Sequence, residues 1–189
     1  MKFIGISGSI RANSFNSSLL RAASGILVPD HSLEILDLRQ IPFFDADLER
    51  EGMPEAVAYA KGAIEQADGV IFASPEYNYT YTGVLKNALD WFSRGPVRPL
   101  SEKPVAVMGA SAGNYGAVRS QTHLRLLLHG MGAHVLPKPE VLVGQAASKF
   151  NEYGELIDEA TIKVMTTLLG NFVNYVEGIR HVSQVLSSR

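Results

Sequence analysis

Three loops rich in hydroxyl, amide and aromatic side chains could bind a ligand, because each one directly follows a short apolar run. The first loop covers residues 8–16 and carries these polar groups: Ser9, Arg11, Ser14 and Asn16. A predicted helix begins after this loop, and the free N–H groups of a helix start favour an anion. Short hydroxyl and amide donors with one guanidinium suit a terminal monophosphate. In the alternative interpretation, Asn13 or Ser14 only caps the helix and Arg11 is a solvated charge.

The first loop matches neither of the two common nucleotide-binding patterns. It lacks the Walker A sequence G-x-x-x-x-G-K-[ST], and it also lacks G-x-G-x-x-G. The pyrophosphate of a dinucleotide is therefore not the ligand expected in this loop.

The second loop, residues 74–83, has tyrosines at alternate positions after a buried strand: Tyr77, Tyr79 and Tyr81. Aromatic rings and the Asn78 amide could flank a flat heterocycle and hydrogen-bond its edge. The alternative is that the tyrosines pack a subunit interface or cover the helix that follows.

The third loop contains Gly109-Ala110-Ser111-Ala112-Gly113, which fits the G-x-S-x-G nucleophile elbow of serine hydrolases. Asp158 and His181 follow Ser111 in the chain order of a catalytic triad. In the alternative interpretation, Ser111 and nearby N–H groups contact a bound ring, and the glycines let that ring approach closely.

Composition excludes several other kinds of chemistry. The 189 residues include no cysteine, which rules out disulfides, thiolate nucleophiles and Cys-ligated clusters, so any redox role needs a borrowed cofactor. A net charge of −2 argues against a nucleic-acid-binding face. The five histidines show no metal-ligand spacing, and no metal is expected. No apolar stretch reaches the roughly 20 residues of a membrane span, and we expect a soluble, cytoplasmic protein.

Strands alternate with helices along the chain, which predicts a parallel sheet joined by crossover helices. The apolar runs are continuous, as in strands covered on both faces. Predicted strands are Lys2–Ser7, Leu33–Leu38, Gly69–Ser74, Pro104–Met108 and a fifth strand in two pieces, His134–Leu136 and Glu140–Val143. Residues 39–53 are predicted to be irregular, and the last helix to cover about 158–185. We therefore predict one doubly wound α/β domain over residues 1–189, with the three loops meeting at the strand carboxyl ends.

In their order along the chain, these segments resemble the NADPH-dependent FMN reductase family, which includes quinone, chromate and azo-dye reductases. The resemblance rests on Gly8-Ser9-Ile10-Arg11 with Ser14 and Asn16, Pro75-Glu76-Tyr77-Asn78, Leu85-Lys86-Asn87-Ala88-Leu89-Asp90-Trp91, and Lys103-Pro104-Val105 leading to residues 111–116. It extends from Lys2 to about Phe172 and implies a flavodoxin-like fold of five strands with helices on both faces.

The resemblance also implies a set of FMN-binding residues. The phosphate would be held by the first loop, the isoalloxazine and ribityl groups by the second, and the ring would be bordered by the third. The cofactor-binding residues are then Ser9, Arg11, Ser14, Phe15, Asn16, Pro75, Glu76, Tyr77, Asn78, Tyr79, Ser111 and Gly113. One departure is Thr82, where the family often has proline before the glycine that opens the next helix; Thr82 can cap that helix instead.

The implied activity is transfer of hydride from NADPH through FMN to a quinone, azo compound or metal oxyanion. No catalytic side chain is assigned, because the flavin carries the chemistry. A homodimer or homotetramer is expected from the tyrosine-rich loop, Trp91, Phe92 and the leucine-rich helix 117–131. The alternatives are an FMN-binding electron carrier without pyridine-nucleotide turnover and a Ser111 esterase. No sequence feature distinguishes NADPH from NADH.

Overall fold

The computed structural model describes residues 1–188, in which strands and helices alternate. The strands are β1 Lys2–Ser7, β2 Ser32–Leu36, β3 Gly69–Ala73, β4 Pro104–Ala110, β5 His134–Val135 and β6 Val141–Val143. The α-helices are α1 Phe15–Leu27, α2 Ala46–Glu51, α3 Glu55–Gln66, α4 Gly83–Phe92, α5 Val118–Gly130 and α6 Glu159–Ser187. Short 3-10 helices cover Leu38–Gln40 and Ala146–Ser148.

All strand pairs in the sheet are parallel, in the order β2-β1-β3-β4-β5, with β6 also beside β4. The first half of β4 pairs with β5, and Met108–Ala110 pair with β6. The predicted two-piece fifth strand is therefore confirmed. The strand order is that of flavodoxin-like sheets, in which ligands bind beyond the carboxyl ends of the strands.

Neighbouring residues of each strand face opposite sides of the sheet, and each side has its own apolar core. Ile4 and Phe72 pack with α3, α4 and α5 on one side, whereas Phe3 and Ile71 pack with α1 and α6 on the other. The continuous apolar runs thus correspond to strands buried on both faces, as predicted. That residues 1–189 form a single domain stays a prediction.

Several elements differ from the sequence-based prediction; strand β2, for example, ends at Leu36 rather than Leu38, because Leu38 begins a 3-10 helix. Helix α2 lies within residues 39–53, where an irregular stretch was predicted, and none of its residues is fully buried. A polar six-residue helix has no apolar periodicity to reveal it. Strand β4 runs two residues further than predicted, because Gly109 and Ala110 pair with β6.

None of the helices within residues 1–188 is both long enough and apolar enough to cross a membrane.

Candidate functional site

The three predicted loops meet at the carboxyl ends of β1, β3 and β4, where they enclose a cleft of about 230 Å³. Its lining comprises Ser9, Arg11, Ser14, Phe15, Asn16, Pro75, Glu76, Tyr77, Ala110, Ser111 and Ala112. The prediction that these loops converge is confirmed. Asn78, Tyr79 and Gly113 lie outside this lining, and Ala110 and Ala112 are additions that the sequence did not single out.

One end of the cleft is suited to an anion, because α1 begins there. Ser14 is the N-cap, and its Oγ accepts a hydrogen bond from Ser17 N at 3.3 Å. No acceptor within residues 1–188 meets the backbone N–H groups of Phe15 and Asn16. Capping uses Ser14 Oγ as an acceptor and leaves its hydroxyl proton available. The two alternatives for this loop, a cap and an anion site, are therefore compatible.

Arg11 lies across the mouth of the same end. Its Nη2 donates to Asn13 O at 2.8 Å, and its guanidinium lies 5.6 Å from the centroid of the Phe15 ring. The other N–H groups of the guanidinium remain available, since arginine carries five donors. A positive charge is thus held beside the free N–H groups of α1.

The Asn16 side chain connects the first loop to the third. Its Nδ2 donates to Ala110 O at 3.0 Å, and its Oδ1 accepts from Ala110 N at 2.9 Å. Asn16 is only 3% exposed. Because both ends of its amide are engaged, Asn16 would bind an anion mainly through its backbone N–H. No sequence pattern marks this contact, because the partners are 94 residues apart.

The second loop is a tight hairpin. Tyr77 and Thr80 exchange two backbone hydrogen bonds, and the central residues Asn78 and Tyr79 have φ values of +48° and +70°. The Arg119 guanidinium lies 4.2 Å from the centroid of the Tyr79 ring. Tyr79 is thus turned towards α5, while Tyr77 lines the cleft and Tyr81 packs against the core. The three tyrosines have different roles.

The carboxylate of Glu76 holds the start of α5. It accepts from Arg119 Nη1 at 2.7 Å, from Arg119 N at 2.9 Å and from Ser120 N at 3.4 Å. Burial alone would raise the pKa of Glu76, but these hydrogen bonds and the guanidinium charge outweigh it and hold the pKa below its usual value. Glu76 is therefore ionised at neutral pH, with its charge directed to α5. No sequence pattern indicated Arg119, which lies 43 residues further along the chain.

Thr82 connects the second loop to the first. Its Oγ1 accepts from Leu85 N at 3.3 Å, so it caps α4 as predicted. The same hydroxyl donates to Gly8 O at 2.6 Å. Proline at this position could make neither bond, and the departure from the family pattern therefore supplies an additional contact between the two loops.

Replacing Thr82 by valine, which has nearly the same shape, is expected to lower the free energy of unfolding by about 1–3 kcal/mol. The change removes the cap of α4 and leaves the buried Gly8 carbonyl without its donor. Urea unfolding of both proteins measures the difference. Thr82→Ser, which keeps the hydroxyl, is the matched control. Equal losses in the two variants would show that the hydroxyl bonds do not matter.

The third loop is fixed by the segment that follows β6. Ser111 N donates to Val143 O at 2.9 Å, and Ala146 N donates to Ser111 O at 3.0 Å. A Cβ on Gly144 would come within 2.4 Å of Asn114 O, so this close approach requires glycine. The backbone around Ser111 is thus held in place at the cleft.

The triad partners suggested by the sequence do not assemble around Ser111. Ser111 follows the carboxyl end of β4, and its Oγ accepts from Gly113 N at 3.2 Å. Arg180, next to His181, pairs with Asp68, whose carboxylate accepts from Lys2 N at the amino end of β1. His181 therefore lies at the opposite end of the sheet. Asp158 caps α6 and accepts from Thr161 N at 2.9 Å.

Comparisons with known proteins agree with this fold. The sequence model of the family described as NADPH-dependent FMN reductase matches residues 1–148. An NAD(P)H-dependent FMN reductase of Pseudomonas aeruginosa is 42% identical over 180 residues, which cover 95% of this chain and 97% of the relative. A quinone reductase of Escherichia coli is 37% identical over 183 residues, with coverage of 95% and 97%.

A solved structure gives the same result. The flavoenzyme NAD(P)H:(acceptor) oxidoreductase FerB of Paracoccus denitrificans superposes with a TM-score of 0.86 at 31% identity. The match covers 94% of this chain and 97% of FerB. The chain therefore belongs to the NADPH-dependent FMN reductase family, whose members are flavin-dependent oxidoreductases.

Proposed function

We propose that this protein passes hydride from NADPH through bound FMN to a quinone-type acceptor. The observation that carries the proposal is the two-ended cleft formed by the three loops. At one end are free helix N–H groups and Arg11, and at the other are Pro75, Tyr77 and the backbone around Ser111. A monophosphate attached to a flat heterocycle has the same two-ended chemistry.

The donor set of the first loop fits the phosphate of FMN. Ser9 and Ser14 supply hydroxyl groups, Phe15 and Asn16 supply backbone N–H groups, and Arg11 supplies a positive charge. A phosphate monoester has three terminal oxygens, each able to accept several such bonds. The small number of cationic groups matches one monophosphate better than a pyrophosphate.

The second and third loops fit the flavin ring and its side chain. Tyr77 and Pro75 offer apolar surface, and the segment from Ala110 to Ala112 offers backbone polar groups that the β6 contacts hold in place. We also propose that Asn78, Tyr79 and Gly113 contact FMN from just outside the cleft lining. When bound, FMN supplies hydride acceptance and donation. The chain's own groups anchor the phosphate and orient the ring.

The visible absorbance of the freshly purified protein and an NADPH-oxidation assay with a quinone test this function together. We expect a flavin spectrum, FMN as the released cofactor, and NADPH oxidation that depends on the quinone. Recovery of FAD would contradict the monophosphate assignment. A flavin without NADPH turnover would favour the electron carrier, although a net charge of −2 provides little of the charge imbalance expected for such docking.

Ser111→Ala separates the flavin interpretation from the esterase interpretation. A serine nucleophile is indispensable, so its removal would abolish esterase activity. If Ser111 only borders the flavin, the variant loses at most one hydroxyl hydrogen bond, worth about 0.5–1.5 kcal/mol, and FMN affinity changes about two- to tenfold. We expect the reductase activity to persist. Cleavage of p-nitrophenyl esters by the wild type, abolished in the variant, would overturn this.

We also propose a homodimer or homotetramer in the cytoplasm. Trp91 and Phe92, which the sequence offered as surface, are buried in the core and contribute nothing to an interface. The remaining support is exposed apolar surface on Tyr77, Tyr79 and, in α5, Leu126, which is 72% exposed. Two-fold association would cover such surface.

Light scattering at micromolar concentration is expected to give a mass of two or four chains. The Leu126→Glu variant should dissociate at higher protein concentrations than the wild type does, because a charge would enter an apolar contact. A stable species of 20.5 kDa in the wild type would contradict the proposed oligomer.

A further inference from the structure

A second polar cleft, of about 220 Å³, lies on the other side of the chain segment that borders the first. Ser9 and Arg11 line both clefts and form the wall between them. The second cleft is bounded across from this wall by residues that follow β2, including Asp37 and Arg39. Apart from these two shared residues, none of the residues assigned to FMN lines the second cleft.

The charge of the second cleft is suited to an anion. Its lining contains Arg11, which is already assigned to the FMN phosphate, and two further arginines, Arg21 and Arg39, against one carboxylate, Asp37. The carboxylate is largely satisfied by Arg39, whose backbone N donates to Asp37 Oδ1 at 3.0 Å and whose Nη1 lies 3.2 Å from both carboxylate oxygens. The positive charges therefore exceed the negative one, and the single acid is already paired.

Arg39 is held in place before any ligand arrives. Besides its bonds to Asp37, its Nη2 donates to Ile10 O at 2.9 Å, on the wall between the clefts. Arginine has five N–H donors, so others remain free to bind an anion. Arg21 is less committed to this cleft, because its Nη2 donates to Ser18 Oγ at 2.7 Å. Arg39 is thus the guanidinium best fixed for recognition.

Serine hydroxyls line the same cleft. Ser17 Oγ donates to Ser7 Oγ at 3.1 Å, and Ser7 Oγ donates to Ser9 O at 3.1 Å. Both hydroxyl protons are therefore used within the protein, so the donors left for a ligand are guanidinium N–H groups, which suit a phosphate monoester. FMN carries one phosphate, for which the first cleft already accounts. A second phosphate monoester must come from another molecule.

The position after β2 has a general significance in nucleotide-binding sheets. Where β2 lies beside β1, residues after β2 stand next to the loop after β1. In dinucleotide-binding folds an acid there binds the ribose 2′-hydroxyl, and an arginine accommodates a 2′-phosphate. Here the first loop is assigned to the FMN phosphate, so the comparison extends only to the residue types after β2: the acid, Asp37, is paired, and the arginine, Arg39, lines the cleft.

We propose that the second cleft binds the 2′-phosphate of NADPH and that Arg39 determines the preference for NADPH over NADH. This inference rests on the proposed function, since it concerns the hydride donor of the same reaction. The Arg39 side chain is half exposed, so we expect an effect near the lower end of the range for a charge-assisted hydrogen bond.

Steady-state kinetics of the FMN-loaded protein test the proposal. The ratio of kcat/KM for NADPH to that for NADH is expected to fall about tenfold in Arg39→Gln. Arg50→Gln is the matched control, because Arg50 also pairs with a nearby aspartate, Asp47, but lies on α2 away from both clefts. It should keep the wild-type ratio. An unchanged ratio in Arg39→Gln would overturn the proposal.

Calorimetric binding provides a readout that is independent of turnover. Adenosine 2′,5′-bisphosphate should bind the wild type about tenfold more tightly than adenosine 5′-monophosphate, and Arg39→Gln should lose this preference. Equal binding of the two nucleotides to the wild type would refute the site. Displacement of the bisphosphate by an equal concentration of inorganic phosphate would mean a free-phosphate site and refute the assignment to NADPH. A retained bisphosphate preference in a protein that oxidises neither nucleotide would support the cleft and count against the proposed function alone.

Discussion

The Asn16→Asp variant is expected to lose about 2–4 kcal/mol of unfolding free energy at pH 8. Asn16 is buried, and its Nδ2 donates to Ala110 O. Aspartate has nearly the same shape, but it places a second oxygen against that carbonyl and buries a charge. The bond from Ala110 N to Oδ1 can persist, so the loss comes from the donor side of the amide.

This loss should shrink as the pH falls. The carbonyl of Ala110 and burial both disfavour the ionised carboxylate, so the pKa of the new aspartate is higher in the folded state than its unfolded value of about 3.9. The penalty is therefore absent below that unfolded pKa, grows as the pH rises and is complete above the folded pKa. A protonated carboxyl can again donate to Ala110 O.

Urea unfolding of the FMN-free protein at pH 5 and pH 8 measures both effects. Asn13→Asp is the matched control: Asn13 lies in the same loop, but its side chain is exposed, and we expect a change of no more than about 0.5 kcal/mol. An Asn16→Asp penalty that is equal at both pH values would argue against the donor role of Nδ2. A penalty as large in Asn13→Asp would argue against any special role of Asn16.

The sheet could be predicted from sequence because its signal is local. β3 is buried at every position from Gly69 to Ala73, and a continuous apolar run is what a strand covered on both faces requires. The broken fifth strand was also visible, since Pro137 and Pro139 interrupt it. The α2 helix was not predicted, because its stability comes from Asp45 as N-cap and from contacts of Leu48 rather than from a repeating apolar face.

The convergence of the three loops could be predicted, but the hydrogen-bond partners of single side chains could not. Loops that follow parallel strands must meet at one edge, and the three loops do. The hydrogen-bond partner of a polar side chain depends on which residues, distant in sequence, the fold brings next to it. Asn16 and Glu76 were predicted as cofactor contacts, yet their side chains bond to Ala110 and Arg119. Such pairs leave no spacing signal in one sequence.

Arg11 is the residue whose replacement should weaken FMN binding most. Its guanidinium adds a charge beside the free N–H groups of α1, and a charge-assisted hydrogen bond to phosphate is worth about 1.5–3 kcal/mol. Arg11→Ala is therefore expected to reduce FMN affinity about ten- to hundredfold. The folded apo protein should lose little, because the guanidinium makes only one bond, to Asn13 O, and a contact with Phe15.

Titration of FMN into the apo variants, followed by flavin fluorescence, measures this loss, and the melting temperature without FMN measures the effect on folding. Arg11→Lys keeps the charge but loses the planar fork, so its affinity should lie between those of the wild type and Arg11→Ala. Arg50→Ala, an exposed arginine outside both clefts, should bind FMN like the wild type. High salt should narrow the difference between the wild type and Arg11→Ala, because the charge is exposed and screened. An unchanged affinity in Arg11→Ala, or a fall in apo melting temperature as large as that of Asn16→Asp, would mean that Arg11 supports the loop rather than the phosphate.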